Sequence, residues 1–257
     1  MEIIIISLAA FLTAILTFFS GFGLGTILTP VFMVFFPVDL AIALTGLVHF
    51  FNNLFKLGLV GGHANKEVLI RFGIPAVLAA ILGSWLMMNM SGWEPLLSYQ
   101  AFGRVFEIYP IKLTVSVLLI FFAAMDLLPY FKHLQFGKEK LPIGGILSGF
   151  FGGLSGNQGA LRSAFLIKAG LSKESFIGTA VVISTFVDLT RLSVYARGLT
   201  YSDFVTNWLL IAVATLSAIT GAFLGNKLLK KVTLQALQTV VAVLLILLSL
   251  ALGLGLL

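Results

Sequence analysis

The sequence predicts an all-α integral membrane protein made of two inverted repeats, each with five apolar segments. Hydrophobic residues make up 59% of the 257 residues and charged residues only 10%, whereas soluble domains are typically about 25% charged. A similar pattern also occurs twice, in residues 19–57 and 153–191. Because a bilayer span needs roughly 20 apolar residues, eight to ten transmembrane segments would occupy nearly the whole chain.

Ten apolar segments follow one another, and four of them are short. The ten segments are 2–19, 24–36, 39–60, 67–90, 110–130, 141–155, 159–169, 173–196, 203–227 and 232–256. The short ones flank two glycine-rich breaks, Gly21-Phe22-Gly23-Leu24-Gly25 and Ser155-Gly156-Asn157-Gln158-Gly159. Each short pair forms either a broken helix, with two half-spans that meet inside the membrane, or a hairpin. We expect the long connection at 91–109 to lie along the outer surface.

The repeat divides the chain into a first transmembrane repeat at 1–130, a linker at 131–140 and a second transmembrane repeat at 141–257. Each half is expected to cross the membrane an odd number of times, so the second half is inverted relative to the first. Ten basic residues lie at the loops on one side of this arrangement and three on the other. Because basic loops stay in the cytoplasm, the linker is predicted to be cytoplasmic and both termini to lie outside.

Three basic residues, Lys56, Arg162 and Arg191, fall inside apolar segments. Because burial of charge is costly, such residues are functional candidates by default. Arg162 is the main candidate, since it lies three residues after Gly159, in the opening turns of a short helix whose N-terminus attracts anions. Its guanidinium can bind an oxyanion through two parallel hydrogen bonds. The predicted surroundings of the anion on this side are Gly156, Asn157, Gln158, Gly159 and Ser163.

The first break is expected to face Arg162 across the pseudo-twofold axis. Its glycines Gly21, Gly23 and Gly25 would let the backbone approach a ligand closely. Its hydroxyl donors would be Ser20, Thr26 and Thr29. The alternative interpretation is that these glycines serve tight helix packing.

Polar residues recur at helical spacing on the third and eighth segments. The two stripes are Thr45, His49, Asn52 or Asn53 and Lys56, and Ser184, Asp188, Arg191 and Tyr195. We expect His49, Asn53 and Arg191 to contribute to the anion site. Asp188 is either the structural partner of Arg191 or a group that orients Arg191 or Arg162 or carries a proton. His49, which titrates nearest neutral pH, either couples proton flux or only donates and accepts hydrogen bonds.

The residue inventory argues against other classes. The chain has no cysteine and only three histidines, so no metal site and no cofactor are predicted. Because no nucleophile elbow or zinc-protease motif occurs, no enzyme activity is predicted. The positive charge is assigned to loop orientation rather than to nucleic-acid binding. The expected partners are a small anion and the lipid bilayer, while proton coupling and assembly into a homo-oligomer are left open.

At the glycine-rich breaks the sequence resembles the sulfite exporter TauE/SafE family of bacterial and plant membrane transporters. The resemblance lies in residues 21–30, 37–45, 149–162 and 173–179 and extends more weakly through both halves. It departs from the family pattern at the second break, where Ala164 takes the place of an expected proline. The resemblance implies transport of small sulfur-containing anions, such as sulfite or organosulfonates, across a bacterial inner membrane.

The sequence therefore predicts a secondary transporter of small anions that works by alternating access between its two repeats. The alternative function is an anion channel in which the glycine-rich loops line the pore.

Overall fold

The computed structural model describes residues 1–20, 24–101, 103–128, 136–198, 200–228 and 234–256. Most of these residues are helical. The helices are α1 Glu2–Ser20, α2 Leu24–Met33, α3 Val38–Val60, α4 Lys66–Met90, α5 Pro110–Leu127, α6 Leu141–Ser155, α7 Gly159–Leu166, α8 Lys173–Tyr195, α9 Tyr201–Thr206, α10 Trp208–Leu228 and α11 Leu234–Gly253. The predicted site residues Gly21 and Gly23 and the linker positions 131–135 lie outside the described residues.

Four of the described helices are long and apolar enough to cross a bilayer. They are Val38–His63, Lys66–Met90, Lys173–Tyr195 and Trp208–Gly225. Shorter apolar helices occur at Glu2–Ile15, Leu24–Met33 and Pro110–Met125. The helix bounds lie close to those of most predicted segments, although α2, α5, α7 and α11 end three residues earlier than predicted and the segment predicted at 203–227 is divided between α9 and α10. The number of membrane crossings, eight to ten, stays a prediction.

Local sequence signals account for several helix ends. The side chain of Asn65 caps α4 by accepting a hydrogen bond from the Val68 backbone at 3.0 Å, and Ser172 caps α8 in the same way. Helix α6 has Pro142 in its first turn, where the missing N–H costs nothing. It ends at Gly156, whose φ of 79° is left-handed, a conformation that glycine adopts without strain.

The long connection before α5 contains a β-hairpin. The described fold is therefore not purely helical, although an all-α fold was predicted. Strands β1 Leu97–Ala101 and β2 Arg104–Ile108 pair antiparallel. The Tyr99 hydroxyl donates to the carbonyl of Leu254 at 2.6 Å, which ties the hairpin to the end of α11. Composition gave no hint of these strands, because the connection mixes aromatic with polar residues without a clear period.

Helices from the two predicted repeats interlock. Helix α1 packs along α10, α6 along α4, α3 beside α8 and α5 beside α11. Glycines make the closest approaches, because a methyl group on Gly83 or Gly149 would overlap a backbone carbonyl of the paired helix. Where α1 packs on α10, a methyl group on Gly221 would likewise overlap the carbonyl of Phe11. Small residues thus bring helix backbones into direct contact, as in other membrane bundles.

Candidate functional site

The second glycine-rich break is irregular backbone buried within the bundle. Asn157 and Gln158 are 2% and 1% exposed, and the Gln158 carbonyl accepts hydrogen bonds from the Arg162 backbone at 3.0 Å and from the Ser148 hydroxyl at 3.3 Å. Irregular backbone at membrane depth is tolerated only where protein or a water-filled cavity covers it. The loop between α6 and α7 therefore turns toward the interior of the bundle.

The described part of the first break, which begins at Leu24, lies against the second break. A methyl group on Gly25 would lie 3.0 Å from the carbonyl oxygen of Gly156, so the backbones of α2 and of the second break are in direct contact. Gly25 and Thr26 are both buried, and Thr29 follows one turn later with no exposed surface. This proximity agrees with the predicted position of the first break opposite the second.

Arg162 lies on α7 with 6% of its surface exposed. Its Nη1 donates to the Ser184 hydroxyl of α8, so the guanidinium bridges the two helices. In the described part of the chain its Nε has no hydrogen-bond partner, and no described carboxylate forms an ion pair with it. The positive charge of Lys56 on α3 and the negative charge of Asp188 on α8 both act on this guanidinium. Two cationic side chains therefore lie near each other beside the second break, with one carboxylate within electrostatic range.

Asp188 is the centre of a buried polar network that joins α8 to α3. Its Oδ1 accepts a hydrogen bond from Arg191 Nε at 3.0 Å and lies 2.9 Å from Nη2. Its Oδ2 lies 2.6 Å from His49 Nδ1 and accepts a hydrogen bond from the Asn53 amide at 2.9 Å. Because His49 can reach the carboxylate only as a donor, its Nδ1 carries a proton in this arrangement. One carboxylate thus holds residues from both predicted repeats.

The guanidinium of Arg191 lies between two glycines. A methyl group on Gly46 would lie 3.4 Å from Cζ, and one on Gly156 would lie 2.8 Å from Nη1. Tyr195, one turn further along α8, interacts with the same guanidinium and donates to the Gly153 carbonyl. Gly46, which no sequence pattern marks as a site residue, lies on α3 directly against this arginine, and a methyl group there would also lie 3.2 Å from the Leu192 side chain.

Several buried polar atoms at this site have no hydrogen-bond partner among the described residues. They are Thr29 Oγ1, Thr45 Oγ1, the side-chain amides of Asn52 and Gln158, Asn157 Oδ1, Arg162 Nε and Arg191 Nη1 and Nη2, although Nη2 also lies in the ion pair with Asp188. Buried polar groups are normally paired, and this set is rich in donors. Donors of this kind, guanidinium and hydroxyl groups above all, are the ones that bind oxyanions in proteins.

The predicted site residues fall into two groups. One group is the hydrogen-bonded network of His49, Asn53, Asp188 and Arg191. Arg162 lies outside this network and donates to Ser184, which is one helical turn before Asp188 on α8. The other predicted residues that the structure describes are Gly156, Asn157, Gln158, Gly159 and the half-buried Ser163, at or beside the second break, and Gly25 and Thr26 on α2. Within the described residues, no group of three or more histidine, aspartate or glutamate residues could hold a metal ion.

Helices of this length, which enclose charged residues, define a multi-pass membrane protein. The family described as Sulfite exporter TauE/SafE matches residues 6–252. The chain therefore belongs to this family of membrane transporters of sulfur anions, which confirms the resemblance seen in its sequence. Membership of a transporter family is consistent with the prediction of no enzyme activity. No curated protein and no solved structure matches the chain significantly.

Proposed function

We propose that this protein is a secondary transporter that carries a small sulfur oxyanion, such as sulfite or an organosulfonate, across the bacterial inner membrane. The observation that carries the proposal is the buried guanidinium of Arg162 beside the second glycine-rich break. A charge in this position is costly unless it is compensated, and a bound anion would compensate it. Membership of the TauE/SafE family supports sulfur anions as the substrate class.

Arg162 is the principal anion ligand in this proposal. It offers a planar set of donors that matches two oxygens of a sulfite or sulfonate group. The backbone at Gly156 and Gly159 and the side chains of Asn157, Gln158 and Ser163 complete the surroundings on its side. The first break contributes Gly21, Gly23, Gly25 and Thr26, and His49, Asn53 and Arg191 border the site from α3 and α8.

Alternating access would arise from movement of one repeat, 1–130, against the other, 141–257. The reciprocal packing of α1 on α10 and of α6 on α4 supports this division, because the first helix of each half packs on the fourth apolar segment of the other. The linker at 131–140 would lie in the cytoplasm and both termini outside. The close contact of Gly25 with Gly156 favours a carrier over the alternative channel, since a permanent pore would need this space open.

The His49–Asp188 pair is the proposed route for proton coupling. Its members lie on helices of different halves and are in hydrogen-bond contact at 2.6 Å. Histidine changes its charge within the physiological pH range, and a second proton on His49 would alter the charge beside Arg191. Proton binding could then bias the relative position of α3 and α8, which carry the site.

Sulfite uptake into proteoliposomes tests the proposed function. We expect saturable uptake by the wild type and at least a tenfold loss in Arg162→Ala, since a hydrogen bond to a charged group contributes about 1.5–3 kcal/mol. Arg197→Ala is the matched control, because Arg197 follows α8 and is exposed. Equal uptake by Arg162→Ala and Arg197→Ala would remove Arg162 from the site. A wild type that moves neither sulfite nor simple sulfonates would refute the substrate class.

A further inference from the structure

The guanidinium of Arg191 has two edges with different surroundings. Nε and Nη2 face Asp188, at 3.0 and 2.9 Å from its Oδ1. Nη1 instead points toward the second break, so that a methyl group on Gly156 would lie only 2.8 Å away. Arg191 has no exposed surface. Tyr195 also interacts with its guanidinium, but Nη1 carries two N–H groups and has no hydrogen-bond partner of normal geometry among the residues that the structure describes. The carboxylate therefore orients the arginine and leaves one nitrogen directed at the break.

Thr29 on α2 approaches the same point from the other predicted repeat. Its Oγ1 lies 3.7 Å from the position of a methyl group on Gly156 and 3.9 Å from that of one on Gly25. The residue has no exposed surface, and its hydroxyl is unpaired within the described ranges. Two buried hydrogen-bond donors, one on α2 and one on α8, therefore lie beside the glycine backbone of the two breaks.

We propose that Arg191 Nη1 and the Thr29 hydroxyl form a second anion station, separate from the one at Arg162. The inference rests on the proposed function and deepens it, because it divides the transport site into two positions. Once the contact between Gly25 and Gly156 opens during transport, a small oxyanion would accept one hydrogen bond from each group through different oxygens. The glycines at 25, 46 and 156 are needed because a side chain at any of these positions would crowd the guanidinium or the meeting backbones.

The two stations lie at different depths along α8. Arg162 contacts this helix at Ser184, whereas Arg191 is seven residues further on, which corresponds to roughly 10 Å of helix rise. Helix α8 begins beside the loop at 168–173, which lies on the same predicted side as the cytoplasmic linker, so Arg162 would be the inner station and Arg191 the outer one. Each station offers an anion a guanidinium, which lowers the cost of crossing the apolar interior.

Thr29→Val tests the outer station, because valine keeps the shape of threonine and removes only the hydroxyl. Its matched control is Thr190→Val on α8, where the hydroxyl is exposed and donates to the Phe186 carbonyl at 2.8 Å. We expect the KM for radiolabelled sulfite to rise about tenfold in Thr29→Val, as for loss of a hydrogen bond to a charged group, and to stay unchanged in Thr190→Val. Thr29→Ser should restore the wild-type KM.

Melting temperature without anion separates a binding role from a structural one. A buried hydroxyl without a partner is unfavourable, so Thr29→Val should melt at the same temperature as the wild type or higher, with a smaller shift on addition of sulfite. A lower melting temperature without sulfite, or an unchanged KM, would overturn the second station. If Arg162→Ala loses uptake while Thr29→Val keeps the wild-type KM, the outer station fails and the proposed function survives. If the wild type neither binds nor moves sulfite, both fail together.

Discussion

Neutralisation of Asp188 should destabilise the protein strongly, because this carboxylate is the only described counter-charge of Arg191. Asp188 has no exposed surface, and its two oxygens serve Arg191, His49 and Asn53 at distances of 2.6–3.0 Å. In Asp188→Asn one oxygen becomes an NH₂ group, which must face a donor whichever way the amide turns. Arg191 would then be a buried charge without compensation.

The expected cost follows from that loss. Removal of one member of a buried ion pair costs about 3–5 kcal/mol. For a domain of this size, 1 kcal/mol corresponds to a change of about 2–4 °C in Tm, so Asp188→Asn should lower the apparent Tm by roughly 10 °C. The assay is thermal unfolding of the purified protein in detergent, with uptake measured in parallel.

Asp39→Asn is the matched control for the same chemical change. Asp39 is half-buried at the start of α3, where its Oδ1 accepts a hydrogen bond from the Leu40 backbone at 2.9 Å. A charge at a helix N-terminus contributes only about 0.3–1 kcal/mol. Asp39→Asn should therefore shift the apparent Tm by no more than a few degrees.

The double variant Asp188→Asn/Arg191→Gln tests the electrostatic reason directly. Because it removes both charges, it should melt at a higher temperature than Asp188→Asn alone, as expected when two groups are energetically coupled. The reasoning would be refuted if Asp188→Asn melted within a few degrees of Asp39→Asn. It would also be refuted if the double variant were less stable than the single one.

Three further predictions concern coupling, topology and packing. In His49→Gln, whose amide can still donate to the buried carboxylate, uptake should persist but lose its response to an imposed pH gradient; a retained response would contradict proton coupling. In this cysteine-free chain, an impermeant maleimide should label Gln100→Cys in intact cells and Glu139→Cys only after lysis, and the reverse pattern would invert the topology. In Gly83→Ala the free energy of unfolding should fall by about 1–3 kcal/mol, because the added methyl group overpacks the contact between α4 and α6. In Gly58→Ala, where no atom lies within 4 Å of the added methyl group, it should stay unchanged.

Much of the helical layout could be predicted from the sequence because the bilayer constrains it. A span must be apolar over roughly 20 residues, so segment bounds can be read from composition, and the predicted 141–155 coincides with α6. The hairpin at Leu97–Ala101 and Arg104–Ile108 was missed. It lies in the connection between apolar segments, where membrane thickness imposes no length and mixed aromatic and polar residues give no clear period.

The residues of the site were also visible in the sequence, whereas their partners were not. Asp188 and Arg191 are three residues apart, so a helix places them on one face, where they can form an ion pair. Spacing could not show that His49 and Asn53 of α3 share the same carboxylate. It also left open whether Asp188 orients Arg162 or Arg191, and the structure places it in contact with Arg191.

The sequence alone determined the class of protein, its apolar segments and the charged residues inside them, because the cost of burying charge and backbone in lipid acts on each segment separately. The tertiary structure decided which of those residues meet. The contact of Gly25 with Gly156 and the position of Arg191 between Gly46 and Gly156 depend on how α2, α3, α6 and α8 pack together. The contacts of Gly25 with Gly156 and of Gly46 with Arg191 join residues more than 100 positions apart in the chain, and no local pattern encodes a distance of this kind.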